Sequence, residues 1–206
     1  EILPMVNNDL GKIAVIDGND NSVLKSYLTY AGPMFKRELR IEDKCPGIHP
    51  ISFSIPNENI VRTIPKKDKD FAPLMPSYLH RGHSHEKTYT FDSEAAYNES
   101  YQSSYFGFTC SKGGWDCLRH YEILANGCVP YFTDVEHLPK QTMFNWPRDL
   151  CFQAKQIKGV YPNWIDESTK IHTCMYALHT EGHKINHDEF EYEFYEELAD
   201  CLLHYT

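Results

Sequence analysis

Residues 104–132 constrain the fold of this chain more than any other segment. Their composition predicts a strand, a glycine-rich turn, a helix and a second strand, namely Ser104–Thr109, Ser111–Gly114, Trp115–Asn126 and Cys128–Phe132. Gly127 stands where a glycine commonly ends a helix. A strand, a helix and another strand in this order imply a right-handed crossover between parallel strands. The sequence therefore predicts an α/β fold, with its functional site at the carboxyl ends of the strands.

Further elements are expected on both sides of this segment. The patterns predict strands at Lys12–Ile16 and Ile51–Ile55, and helices over residues 21–30, 93–100, 166–179 and 188–203. Residues 56–89 carry prolines, lysines and histidines without periodicity, which predicts a long surface connection. Because 206 residues are enough for one sizeable core, we expect a single Rossmann-like domain over residues 1–206, with a parallel sheet flanked by helices.

Composition and charge exclude several classes of protein. Hydrophobic residues make up 41% and charged residues 24%, which is ordinary globular usage. The net charge of −9 argues against a general nucleic-acid binder, which needs a basic face. No apolar run approaches the ~20 residues that a membrane-spanning helix requires. We therefore expect no nucleic-acid partner and no membrane span in this chain.

The cysteines indicate the cellular compartment of the protein, and the two ends of the sequence indicate whether it is part of a longer chain. Seven cysteines, an odd number without a C-x-x-C pair, give neither a zinc ribbon nor a redox dithiol motif. They predict reduced thiols and a cytoplasmic location. The sequence starts at Glu1 rather than Met and stops within a helical pattern, so we expect a piece of a longer protein.

The glycine-rich turn is the first candidate for a ligand site. Gly113 and Gly114 follow a predicted strand, and adjacent glycines let a backbone approach a ligand closely. The start of the predicted helix would add free N–H groups and a positive dipole end, and Lys112 would add a cation. These features together predict an anion site.

The helix predicted after this turn carries a second set of candidates. Trp115, Arg119 and Glu122 have the spacing i, i+4, i+7, which places them on one helix face. At 1.5 Å per residue Glu122 would lie ~10 Å beyond Trp115, about the distance from a diphosphate to its ribose. Arg119 would then pair with phosphate while Glu122 accepts hydrogen bonds from ribose hydroxyls. A plain turn with an Arg119–Glu122 surface pair is the alternative.

The same residues carry a family resemblance. The glycine-rich turn, the R-x-x-E pattern of Arg119 and Glu122, and the G-C-V-P sequence of residues 127–130 resemble the exostosin-like glycosyltransferases, and are nearest to versions encoded by large algal viruses. The resemblance is specific over residues 97–148 and weaker over residues 15–18, 35–39 and 51–56. It implies the C-terminal nucleotide-sugar-binding domain of a GT-B glycosyltransferase. A full GT-B enzyme has two such domains, so the acceptor domain is expected to lie outside this chain.

The resemblance also implies ligands and roles. The substrates would be a UDP-sugar donor and a glycan or glycoprotein acceptor, in the host cytoplasm if the protein is viral. Glu122 would bind ribose, Arg119 and the Gly113–Gly114 backbone the diphosphate, and Lys36 or Arg37 the phosphate or the sugar.

The reaction type adds two further expectations. The leaving diphosphate would be stabilised by Lys112, Arg119, Arg37 and a helix dipole, without a metal or another cofactor. An inverting enzyme also needs a base for the acceptor hydroxyl, and Asp17, at the end of the first strand, is the candidate. The alternative for Asp17 is a side chain that caps a turn. His120 would face either the site or the core.

Two other functions remain open. The chain would be a non-catalytic nucleotide- or carbohydrate-binding module if only the donor half is present. It would be a metal-dependent GT-A glycosyltransferase if the D-x-D sequence of residues 68–70, or the acidic turn of residues 17–20, held a metal. The first follows charged residues rather than an apolar strand, which favours a solvated charge run. Two histidine groups, at positions 80, 83 and 85 and at 179, 183 and 187, are interpreted as surface residues.

Overall fold

The chain is a mixed α/β protein whose described residues fall into two compact units. The structure, a computed structural model, describes residues 13–24, 32–40, 46–72, 91–111, 113–161 and 184–205. The first unit takes its described residues from 1–53, 111–117 and 137–146, and the second takes the others. Each unit contains a small parallel sheet, as an α/β fold requires. The prediction of one domain over residues 1–206 stays a prediction.

The described part of the first unit has a three-stranded parallel sheet in the order β1-β2-β3. These strands are β1 (Val15–Asp17), β2 (Met34–Lys36) and β3 (Ile48–Pro50). The register sets Asp17 opposite Lys36, and Lys36 opposite Pro50. The carboxyl ends of all three strands therefore meet at one edge of the sheet.

Three predictions in this unit need correction. The predicted strand at Lys12–Ile16 exists, but it covers Val15–Asp17. The strand predicted at Ile51–Ile55 is wrong, because the ladder with β2 uses Ile48–Pro50 and ends with the bond from the Ile51 N–H to the Lys36 carbonyl. Of the helix predicted over residues 21–30, residues 21–24 are not helical, and the others lie outside the described residues.

The second unit is larger. Its described residues form a parallel sheet in the order β4-β5-β6 and an antiparallel pair, β7-β8. The strands are β4 (Lys69–Phe71), β5 (Ser104–Thr109), β6 (Val129–Phe132), β7 (Val160–Tyr161) and β8 (Lys184–Ile185). The helices are α1 (Glu94–Gln102), α2 (Leu118–Ala125), α3 (Arg148–Ala154) and α4 (Tyr192–Leu203). Short 3-10 turns lie at Asn57–Asn59 and Val135–His137.

The predicted strand–helix–strand segment is confirmed, and one of its boundaries differs by more than a single residue. Strand β5 has the predicted bounds, and it pairs in parallel with β6. Phe106 and Phe132 are fully buried, as expected for parallel strands covered on both faces. Gly127 ends α2 with a φ of 61°, and a Cβ there would lie only 2.8 Å from Cδ of Pro65. This boundary is the start of α2, which lies at Leu118 rather than at Trp115.

Other boundaries depend on local capping. Helix α1 starts where it was predicted, because the Ser93 hydroxyl accepts a hydrogen bond from the Ala96 N–H at 3.2 Å. The helix predicted from residue 188 begins at Tyr192, after a turn over residues 187–189. Strand β4 lies within the stretch predicted as surface connection. The helix predicted over residues 166–179 lies outside the described residues.

The described part of the chain carries five free cysteine thiols, at positions 110, 117, 128, 151 and 201. Burial raises the pKa of the Cys128 thiol to about 12. Within the same residues no helix has the length and apolar character needed to cross a bilayer.

One lysine joins two helix ends in the second unit. Lys67 Nζ donates to the Gln102 carbonyl at 2.9 Å, at the end of α1, and to the Gly127 carbonyl at 2.6 Å, just after α2. Both carbonyls lack partners further along their helices, and a cation is favourable at a helix C-terminus. Burial lowers the pKa of Lys67. The ammonium group therefore stabilises the two helix ends together.

We expect Lys67→Met to lower the free energy of unfolding by about 2–4 kcal/mol, because two charge-assisted hydrogen bonds are lost while the carbonyls stay part-buried. Urea denaturation followed by circular dichroism measures this. Lys66→Met, at an exposed neighbouring position, is the matched control and should change the value by less than ~0.5 kcal/mol. Equal effects of the two substitutions would contradict the role of Lys67.

Candidate functional site

Charged side chains are buried at the carboxyl edge of the sheet of the first unit. Asp17, Lys36, Arg37, Glu38 and Asp116 are each at most 8% exposed. Such residues are almost never fully buried unless they are paired. Their partners therefore decide which of them remain available to a ligand.

Lys36 and Asp17 form a closed pair. Lys36 Nζ donates to Asp17 Oδ2 at 3.1 Å and to the Asn21 carbonyl at 2.8 Å. Asp17 Oδ1 accepts from the Asn19 backbone N–H at 3.1 Å and from Asn19 Nδ2 at 2.7 Å. Burial alone would raise the pKa of Asp17, but the hydrogen bonds from Asn19 and Lys36 outweigh it, so this pKa lies below its ordinary value. This geometry agrees with the turn-capping alternative, and the general-base role of Asp17 stays a prediction.

Arg37 is held from several sides. Its guanidinium forms an ion pair with Asp20, and its Nε lies 3.9 Å from Asp116 Oδ2. The guanidinium carbon also lies 4.4 Å from the centroid of the Phe53 ring, which is within the range of a cation–π interaction. The Phe53 N–H donates to Asp116 Oδ2 at 3.0 Å. Arg37 therefore connects the segments that follow β1, β2 and β3.

Glu38 packs against the glycine turn of residues 113–116. Its Oε1 accepts a hydrogen bond from the Asp116 N–H at 2.8 Å. A Cβ on Gly114 would lie 2.5 Å from Glu38 Oε1 and 3.0 Å from the Asp20 carbonyl oxygen, so position 114 requires glycine. A Cβ on Gly113 would meet its nearest neighbour, Asp20 Oδ2, at 3.4 Å, which is ordinary contact. The close carboxylate of Glu38 thus requires a glycine at the second position of the turn.

These residues surround a cavity of about 320 Å³ within the first unit. Its wall comprises residues 20–22 after β1, Glu38 and Arg40 after β2, and the turn of residues 113–115, completed by Ser111, Pro139 and Thr142. Thr142 Oγ1 donates to the Leu39 carbonyl at 2.9 Å, which fixes the last part of this wall. The volume lies at the lower end of the ~300–1,000 Å³ range of small-molecule sites.

Of the predicted site residues in the first unit, three line this cavity and three do not. Gly113, Gly114 and Trp115 line it. Asp17, Lys36 and Arg37 do not, because their side chains are engaged in the ion pairs of the sheet edge. Lys112 lies outside the described residues.

The prediction of one helix face for Trp115, Arg119 and Glu122 is wrong. Helix α2 begins at Leu118, so Trp115 precedes it by three residues. The physical reason is the bond from the Asp116 N–H to Glu38, which holds the chain in a loop at that point. For the same reason the two glycines are not part of the first turn of a helix.

Arg119 and Glu122 lie on α2 in the second unit, where Glu122 is partly buried. Glu122 Oε2 accepts a hydrogen bond from the Tyr97 hydroxyl at 2.7 Å, and its Oε1 accepts none from the described residues. Burial raises the pKa of nearby Tyr101 to about 12, although the charge of Arg119 opposes this rise. The binding roles of Arg119 and Glu122 stay predictions.

The contacts bear on three interpretations made from the sequence, which concern His120, the D-x-D sequence and the two histidine groups. His120 is a core residue, since it is fully buried, stacks on Phe132 at 4.6 Å and hydrogen-bonds to Thr109 at 2.7 Å through Nδ1. Asp70 of the D-x-D sequence accepts from the Ile185 N–H at 2.9 Å and lies 2.9 Å from His187 Nε2. No group of three or more metal-ligating side chains occurs among the residues that the structure describes. The five other histidines of the two groups lie outside those residues.

Sequence reasoning missed Glu38 and Arg40 as lining residues. Both belong to a charged run, Lys36–Arg40, which is interrupted only by Leu39 and begins at the last residue of strand β2. Such a run at the carboxyl end of a parallel strand is the signal that could have identified them. Arg40 makes no ion pair with any described residue, so its charge is available at the cavity.

Comparison of the chain with protein-family models, with curated proteins and with solved structures gives no match.

Gly114→Ala should lower the free energy of unfolding by about 1–3 kcal/mol, since the added methyl group forces Glu38 or the backbone at Asp20 to move. Gly113→Ala is the matched control, and it should stay within ~0.5 kcal/mol of the native chain. Urea denaturation of both variants checks this. If both lose the same stability, the close packing of Glu38 on Gly114 is not what fixes the turn.

Asp17→Asn leaves the buried ammonium of Lys36 without its carboxylate, which should cost about 3–5 kcal/mol at neutral pH. Because the pKa of Asp17 is lowered by folding, the unfolded chain binds more protons just below pH ~4, and the contribution of this carboxylate fades as the pH falls through its folded pKa. The stability difference between the native chain and Asp17→Asn should therefore shrink on acidification. Urea denaturation between pH 3 and pH 7 measures it, with Glu58→Gln at an exposed position as the control. A difference independent of pH would contradict an ionised Asp17.

Proposed function

We propose that this protein is a glycosyltransferase that transfers a sugar from a nucleotide sugar, of the UDP class, to a hydroxyl group of a glycan or glycoprotein. The observation that carries the proposal is the cavity at the carboxyl edge of the parallel sheet in the first unit. In α/β proteins, ligands commonly bind outside the carboxyl ends of the strands. The cavity combines an aromatic side chain, Trp115, with polar groups that suit a sugar.

The family resemblance supplies the finer part of the proposal. It supports a Rossmann-like GT-B donor domain, encoded by a virus and acting in the host cytoplasm without a metal cofactor. Arg119 and Glu122 are the proposed ligands of the diphosphate and the ribose. Glu122 is suited to its role because the Tyr97 hydroxyl donates to one of its carboxylate oxygens, while the other accepts no hydrogen bond from the described residues.

A second candidate is a non-catalytic module that binds a nucleotide sugar. The contacts of Asp17 favour it, since both carboxylate oxygens already accept hydrogen bonds and its pKa is lowered. A carboxylate in that state is a weak base toward an acceptor hydroxyl. The two candidates differ in turnover, because a binding module retains affinity but releases no free nucleotide from its ligand.

A thermal-shift panel with UDP, GDP, CMP and their sugars, with and without manganese, tests the proposal. A ligand at 100 times its dissociation constant adds ~2.7 kcal/mol to the free energy of unfolding, so we expect a higher melting temperature with uridine nucleotides. The rise should not depend on manganese. A rise only with manganese would favour the GT-A alternative, and no rise with any nucleotide would contradict the proposal.

Two variants test whether Glu122 contributes to nucleotide binding. Glu122→Ala should weaken nucleotide affinity by about 1–3 kcal/mol through the loss of a charged hydrogen-bond partner. Glu99→Ala, on an exposed position of α1, is the control and should bind as the native chain does. Unchanged affinity of Glu122→Ala would remove this residue from the ribose site.

A further inference from the structure

The wall of the cavity in the first unit carries a buried carboxylate that forms no ion pair with any residue the structure describes. Glu38 is 4% exposed, and Oε1 accepts one hydrogen bond, from the Asp116 N–H. Its Oε2 accepts no hydrogen bond from the described residues, and Glu38 forms no ion pair with any of them. A carboxylate buried in this way needs donors for its remaining lone pairs.

The other carboxylates of the sheet edge have partners of their own. Asp17 holds Lys36, and Asp20 is paired with Arg37. Asp116 accepts from the Phe53 N–H and lies beside the Arg37 guanidinium. Among the described carboxylates of this edge, Glu38 is thus the buried one that lines the cavity without a cation beside it.

The glycine turn faces these carboxylates at short range. A Cβ on Gly114 would have Glu38 Oε1 as its nearest neighbour, and a Cβ on Gly113 would have Asp20 Oδ2. The Glu38 carboxylate beside the turn repels a phosphate group, whereas the charge of Asp20 is balanced by Arg37. Among the described residues of the wall, the available cation is Arg40, which is exposed. A neutral hydroxyl group, in contrast, donates a hydrogen bond to a carboxylate at no cost in charge repulsion.

We propose that this cavity is a subsite for a neutral sugar ring rather than for a diphosphate, and that Glu38 Oε2 accepts hydrogen bonds from the sugar hydroxyl groups. Trp115 supplies the aromatic surface of the same wall, and Asn21 and Ser22 supply further polar groups. The assignment rests on the proposed function only for the source of the sugar, which is either the donor or the acceptor. It separates Gly113 and Gly114 from the diphosphate role that the family resemblance implies.

Saturation-transfer NMR on the full chain tests this inference with D-glucose, D-galactose and D-xylose, with pyrophosphate as the competing anion. We expect transfer to at least one sugar, undiminished by pyrophosphate. In Glu38→Gln and Glu38→Ala the affinity for that sugar should fall by about tenfold or more, the loss of a charged hydrogen-bond partner. Glu58→Gln, at an exposed position away from the cavity wall, is the control and should keep the native affinity.

A second measurement does not depend on the folding of a variant. In the native chain, the indole N–H signal of Trp115 should shift on addition of the sugar, while that of Trp146, which is buried away from the cavity wall, should stay in place. Absence of transfer to every sugar, loss of the signal on adding pyrophosphate, or equal affinity in the native and Glu38 variants would each overturn the inference. Adding UDP to the same samples tests the proposed function separately, since sugar binding without UDP binding supports this subsite and contradicts the nucleotide-sugar donor.

Discussion

The fully buried ammonium of Lys36 is the constraint on which the first unit depends. It sits at the carboxyl end of the central strand, where a charge without partners would cost several kcal/mol. Its two acceptors, Asp17 Oδ2 and the Asn21 carbonyl, come from the end of β1 and the turn that follows. The turn is itself fixed by the Asn19 bonds to the other oxygen of Asp17. One buried cation thus determines the conformation of the segment that becomes a wall of the cavity.

The charged residues of this edge differ in depth and in their partners, and these partners decide which charges are left to act on a ligand in the cavity. The innermost pair, Lys36 and Asp17, neutralises itself. Arg37 comes next, and its charge is balanced by Asp20 and Asp116 while its guanidinium lies against the face of Phe53. Two of the cations that the sequence suggested for phosphate, Lys36 and Arg37, are therefore used in holding the fold together. Of the buried carboxylates described at this edge, the one that lines the cavity is Glu38.

The parts of the fold that follow from local sequence were predicted, and the parts that depend on distant partners were not. Strand β5 and the glycine stop at Gly127 are specified by apolar composition and by a positive φ, so the sequence alone identifies them. Strand β4 has the sequence Lys-Asp-Phe, which has no strand pattern, and it exists through pairing with β5. The start of α2 was misplaced because the side chain that holds the preceding loop, Glu38, lies 78 residues earlier in the chain. For the site, the turn at residues 113–115 was found from its glycines, but its contacts with Asp20 and Glu38 join segments far apart in the sequence, so no local pattern predicts them.

A pair of glycines in a turn indicates that another group lies close to the backbone, but it does not identify that group. Two glycines after a strand suggest an anion site, because phosphate-binding loops need backbone without side chains. Here the space beside Gly114 is occupied by a carboxylate of the protein itself, and the adjacent helix begins four residues later. A phosphate-binding loop and this loop both require glycine. The first attracts an anion, whereas this one brings a negative charge of the protein to the cavity. A loop that packs on a carboxylate presents negative charge to its cavity, so hydroxyl donors are the ligand groups that its geometry favours.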